Sequence, residues 1–135
     1  MDEKQSYGKI VVKVSSADGA IPIEGATVAV RVEDGDGTGI VAIKTTNESG
    51  ETGEVIIGTP SPSLSLSPDP AAIPYSLASV EVTAYGYYST ANINVPVFPG
   101  VTTVQSVNMY PLPEGTPEGY QPPEVVIFDN GAADL

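Results

Sequence analysis

The chain has 135 residues, enough for one hydrophobic core and too few for two well-formed ones. Seventeen acidic residues against five basic give a formal net charge of −12, which argues against nucleic acid or an anionic membrane surface as partner, since both are held by clustered Lys and Arg. Cysteine, histidine and tryptophan are absent, and with them go disulfides, thiolate sites and the commonest general base and metal ligand.

The predicted elements are short β-rich runs punctuated by fourteen glycines and thirteen prolines, with no helical periodicity. The first strand is Gly8 to Val14, with Ile10, Val12 and Val14 on one face and Lys9, Val11 and Lys13 on the other. A turn at Ala17–Ala20 follows. The second strand runs from Ala26 to Val32, with Ala26, Val28, Val30 and Val32 inward and Thr27, Ala29 and Arg31 outward. The Gly-rich loop Asp34–Gly39 leads to a third strand, Ile40 to Lys44, and the turn Thr45–Gly53 to a fourth, Glu54 to Gly58. Thr59 to Pro74 carries five prolines and four serines and reads as a long surface loop, because proline removes a ladder donor.

Tyr75 to Tyr88 is the central strand. Val80, Val82 and Ala84 alternate inward, Glu81 is turned to the opposite face, and Gly86-Tyr87 closes a corner. Ala91–Phe98 and Thr102–Tyr110 complete the set, joined at Pro99-Gly100. About seven strands make an all-β, immunoglobulin-like sandwich. Beyond Pro111 the run to Pro123 is expected to be extended and solvated, with a short apolar run, Val125-Val126-Ile127-Phe128, near its end. The organisation expected is thus an N-terminal arm at 1–7, a sandwich domain at 8–110 and an acidic, Pro-rich tail at 111–135, with no internal repeats.

Four motifs occur in order: Gly8-x-Ile-x-Val-x-Val14, Pro22-Ile-Glu-Gly-Ala26-x-Val-x-Val30, Thr46-x-x-x-Gly50 and Val80-x-Val-x-Ala84-x-Gly-Tyr87. Together they resemble the carboxypeptidase regulatory-like, transthyretin-like β-sandwich domains. Val97-Phe-Pro-Gly-Val101 and Val107-Asn-Met-Tyr-Pro-Leu-Pro113 make the chain similar to the module that precedes peptidoglycan-hydrolase or spore-cortex-lytic regions in Gram-positive bacteria. The likeness spans Gly8 to Pro113 and implies a transthyretin-like fold and a non-catalytic accessory, spacer or binding role.

The corner also resembles the collagen-adhesin B-type repeats of pilins and adhesins, many of which form a Lys–Asn isopeptide bond assisted by a buried Glu. Glu81 stands three residues before Ala84, as that comparison requires. Register argues against the bond, because Lys13 points away from the face that buries Ile10 and Val12, and Glu81 away from that of Val80 and Val82. Asp34-Gly-Asp-Gly-Thr-Gly39 has the first half of a calcium loop, but Thr45 stands where the bidentate Glu belongs. A strand-to-strand turn explains its glycines without metal. Without His the usual activation of a serine is missing; no catalytic residue, metal or cofactor is expected.

Partner-binding residues are sought instead at the tyrosines and the tail. Tyr85 and Tyr88 flank the corner and are expected to be exposed, while Tyr87 fills a corner or the core. Val125, Val126, Ile127 and Phe128 suit strand addition to another subunit, or fold back as an edge strand of their own domain. The start, Met1 to Gly8, is polar and lacks the apolar core of a signal peptide. The expected role is a structural or decoration subunit of a bacterial or phage-like assembly, made in the cytoplasm and displayed on a particle or virion surface. The alternative is a glycan- or peptidoglycan-binding accessory module.

Overall fold

The computed structural model describes residues 6–34, 37–59 and 75–130. Nine strands form in them: β1 (Ser6–Ser16), β2 (Ile21–Pro22), β3 (Thr27–Asp34), β4 (Gly37–Thr45), β5 (Val55–Thr59), β6 (Ser76–Thr83), β7 (Ser89–Val97), β8 (Thr102–Met109) and β9 (Val125–Asp129). Among the described residues there is no helix. The strands lie in two sheets packed as a sandwich. In one, β1 is central, with β2 and β5 antiparallel along one side and β8 parallel along the other. The second has the order β4-β3-β6-β7-β9.

Alternation in the sequence sets which side chains meet between the sheets. Ile10, Val12 and Val14 of β1, Val28 and Val30 of β3, and Val80 and Val82 of β6 are almost completely buried. Ile57, Val95, Val97, Val107 and Met109 fill the rest of this core. Lys9, Lys13, Thr27 and Glu81 face solvent. The all-β sandwich is therefore the observed class, with nine strands instead of about seven.

The two additional strands, β2 and β9, are short. β2 pairs with β1 through Ser15–Pro22 and Ser16–Ile21 alone. β9 is built from the apolar run of the C-terminal segment and lies parallel to β7, from Ser89–Val125 to Ile93–Asp129. Of the two expectations for that run, the structure shows the second: it is an edge strand of its own chain. Ser6 and Tyr7, expected within an arm at 1–7, pair with Thr59 and Gly58; residues 1–5 lie outside the described residues, as do 60–74 of the Pro-rich loop. Asp34 pairs with Gly37 at the end of the antiparallel β3–β4 ladder. Gly35 and Asp36, which the calcium comparison needs, lie outside the described residues.

Both breaks in register are bulges. One falls between Val30 and Arg31 where β3 meets β4, the other between Ala78 and Val80 where β6 meets β7. In the second, Asn94 takes a positive φ of 58°, a conformation that Asn tolerates better than most residues. Its amide Nδ2 donates to Asp129 Oδ1 at 2.8 Å, tying the bulge to β9.

Candidate functional site

Pro111 to Pro123, between β8 and β9, was expected to be extended, solvated and semi-rigid, and it is folded back against the Tyr85 corner. Tyr87 and Pro111 form an antiparallel bridge. Leu112 N donates to Gly86 O at 2.9 Å and Tyr88 N to Tyr110 O at 2.9 Å. Gln121 Nε2 reaches Tyr87 O and Ser89 Oγ, both at 3.2 Å.

The segment bends because it holds two β-turns in succession. Thr116 N donates to Pro113 O at 3.2 Å, and Tyr120 N to Pro117 O at 3.1 Å. In each turn the third residue is glycine, Gly115 at φ 88° and Gly119 at 83°, the positive φ of a type II turn. The corner repeats the device: Tyr87 N donates to Ala84 O at 3.2 Å, with Gly86 at φ 86°. The expectation of no internal repeat is corrected here. Pro113-Glu-Gly-Thr116 and Pro117-Glu-Gly-Tyr120 are a tandem tetrapeptide, one turn each.

Between these three turns lies an open groove of about 290 Å³. Tyr85 and Tyr120 line it and remain 66% and 51% exposed. Leu112, Pro113, Thr116 and Pro117 add apolar and hydroxyl surface, and Glu118 is the charged residue of the lining. A groove with two solvent-accessible aromatic rings, turn glycines and a carboxylate can accept a flat or cationic group; it holds no nucleophile–base pair.

The residues singled out in the sequence are separated by the fold. Tyr85 enters the groove, whereas Tyr88 is half-buried and not part of the lining. Tyr87 packs against the core. Val125 and Ile127 are exposed on the outer side of β9; Val126 and Phe128 are half-buried, with Phe128 stacked on Tyr110 at 6.4 Å between ring centroids. Tyr75 meets Phe98 with its ring tilted by 59°, at 5.1 Å between centroids. Sequence reasoning missed Tyr120, Leu112 and Thr116, because a Pro-rich composition was read as a rod. The signal was the four-residue spacing of Gly115 and Gly119.

A second groove, about 590 Å³, lies beside the end of β1. Two pairs of its polar residues are bonded to each other. Asp18 N donates to Asn108 Oδ1 at 3.0 Å, Asn108 Nδ2 to Asp18 Oδ1 at 3.4 Å, and Lys13 Nζ lies 3.7 Å from Glu51 Oε2. Among the described residues no group of three or more acids is gathered as a metal site.

No protein-family model matches the sequence, and no curated protein matches it. Solved structures do. The catechol 1,2-dioxygenase of Acinetobacter sp. ADP1, inhibited by bound mercury, superposes with a TM-score of 0.56 at 12% identity, over 93% of this chain and 59% of that one. Wild-type catechol 1,2-dioxygenase from Acinetobacter radioresistens gives 0.50 at 13%, over 89% and 57%. A minor pilin of Streptococcus agalactiae gives 0.44 at 14%, over 85% and 49%. The likeness is one of fold. This chain spans under three-fifths of the length of each dioxygenase, and at such identities the shared feature is a β-sandwich.

The isopeptide comparison is answered by position. Lys13 is exposed beside Glu51, Lys9 is exposed with its Nζ 3.2 Å from Glu54 Oε1, and Glu81 is exposed with Oε2 3.3 Å from Arg31 Nε. The intact mass is therefore expected to equal the sequence mass; a deficit of one ammonia would contradict the register.

Proposed function

We propose that the chain is a non-catalytic structural or decoration subunit acting through protein–protein contacts in a bacterial or phage-like assembly. The outer edge of β4 carries this reading. The strand has nine residues and, among the described residues, pairs on one side only, with β3. Ile40, Val41 and Ile43 on it are 51%, 45% and 61% exposed. A strand edge with large apolar side chains and no described neighbour is a template for strand addition by a partner.

The outer face of the same sheet continues the surface. The registers align Ile43, Ala29, Glu81, Ala91 and Ile127 in one row across all five strands. Isoleucine stands at both ends of the row, with small residues flanking the Arg31–Glu81 pair near its middle. Such a face suits flat contact with a neighbouring subunit. The motif resemblance to carboxypeptidase regulatory-like, transthyretin-like domains supports the same accessory role, and a non-catalytic reading accords with a chain that lacks histidine.

The test is recovery of the chain in a larger assembly. With wild-type protein the chain runs in a high-mass fraction from its source cells; Ile43→Glu is expected to weaken that association by about tenfold while the melting temperature holds. Unchanged assembly with Ile43→Glu sinks the edge-contact reading. A second reading, a glycan- or peptidoglycan-binding accessory module, is favoured by the exposed Tyr85 and Tyr120. Retention on purified peptidoglycan, lost with Tyr85→Ala, would support it instead.

A further inference from the structure

The geometry points to the groove between Tyr85 and Tyr120 as a receptor for a lysine or arginine side chain presented by an extended segment of a partner protein. This rests on the reading of the chain as a contact-making subunit, and it names the chemistry of one contact. Two observations select a cation over a neutral group. The first is the lining: two exposed tyrosines with Glu118 beside them and no basic residue. An aromatic ring attracts a cation through its quadrupole, and a carboxylate at the rim adds a direct charge.

The second is the field around the groove. From Thr45 onward the sequence has ten acids and no base. Glu114, Glu118 and Glu124 all belong to the groove segment or its exit, and all three are exposed. Three of the chain's five cations are engaged elsewhere: Lys9, Lys13 and Arg31 stand against Glu54, Glu51 and Glu81. Charge complementarity therefore favours a positively charged visitor, while a neutral sugar gains nothing from this field. An anionic polymer is repelled by it.

The groove is also pre-formed. Each of its three turns is closed by a backbone hydrogen bond, and Thr116 Oγ1 donates to Pro113 O at 2.6 Å, bracing one of them. A site whose walls are already ordered spends little entropy on binding.

The experiment is a titration of the isotopically labelled full chain with four probes: capped Gly-Arg-Gly, capped Gly-Lys-Gly, capped Gly-Gln-Gly and chitotetraose. Amide shifts at Gly86, Gly115 and Gly119 report the groove. The Arg and Lys peptides are expected to produce saturable shifts there, with the Gln peptide at least about tenfold weaker. Tyr85→Ala weakens the Arg peptide by about tenfold, and Glu118→Gln weakens it by about threefold and flattens its dependence on salt. Both side chains are exposed, so the fold survives the changes. Equal binding of the Gln and Arg peptides overturns the assignment, as does chitotetraose shifting these amides when the Arg peptide does not. Failure of this titration bears on the groove alone, whereas failure of the Ile43→Glu assembly measurement bears on the structural reading alone.

Discussion

Gly50→Ala is expected to lower the unfolding free energy by about 3–5 kcal/mol, a large share of the stability of a domain this size. Two independent costs meet at this position. Its φ is +78°, where an L side chain is strained. A Cβ built there would also collide with the Val14 carbonyl oxygen, with Ile23 N at 3.1 Å and Pro22 Cβ at 3.2 Å just beyond. None of these neighbours is a flexible side-chain end that moves cheaply. Val14 N donates to Gly50 O at 2.7 Å, and Ile23 N to Val14 O at 3.0 Å, so relief would break the contact of the turn with β1. Gly19 supplies the control. Its φ is +95° and a Cβ would meet open space, so Gly19→Ala should lose only the backbone cost of about 1–2 kcal/mol. Denaturant midpoints of the two variants check this; equal losses would show that the contact at Gly50 is not the cause.

Thr46→Val is the second large effect, with an expected loss of about 2–4 kcal/mol. The hydroxyl Oγ1 accepts from Ala26 N at 2.9 Å and donates to Ile23 O at 2.7 Å. Both partners sit on buried residues, and Thr46 itself is 4% exposed. Valine keeps the shape and removes both bonds, leaving a buried donor and a buried acceptor without partners. Serine retains the hydroxyl, so Thr46→Ser should lose about 1 kcal/mol, chiefly for a methyl group. Thermal unfolding of the pair decides the matter. Similar losses for Val and Ser would mean that packing, not hydrogen bonding, holds the Ile23–Ala26 turn.

Legibility in the sequence followed the range of the interactions. The inward sets of β1, β3 and β6 were plain because a two-residue period repeats several times within each strand, and one buried face demands it. Glu81 was placed outward by the same rule. β2 has two residues and therefore no period to read. The destination of Val125–Phe128 was ambiguous because a half-buried edge strand has the same composition as a free docking arm. Only the turns before it, which aim β9 along β7, separate the two. The groove was missed for a related reason. Tyr85 stood out beside Gly86, but Tyr120 is brought to it by two turns that a rod-like reading of proline conceals. β4 was seen as a strand; that it lies at an edge, with Ile43 uncovered, is a property of sheet order.

The pairing of β1 with β8 has a consequence in time. Lys9 meets Thr102 and Ser16 meets Met109 in a parallel ladder, so β1 is completed by a strand far along the chain. β7 likewise waits for β9. A nascent chain can close the β3–β4 and β6–β7 pairs as they emerge, but neither sheet is whole until β8 and β9 have been made. Such long-range closure places this domain among slow folders, in milliseconds to seconds. Until then the apolar face of β1 stands open, and the surplus of negative charge is what keeps neighbouring nascent copies apart.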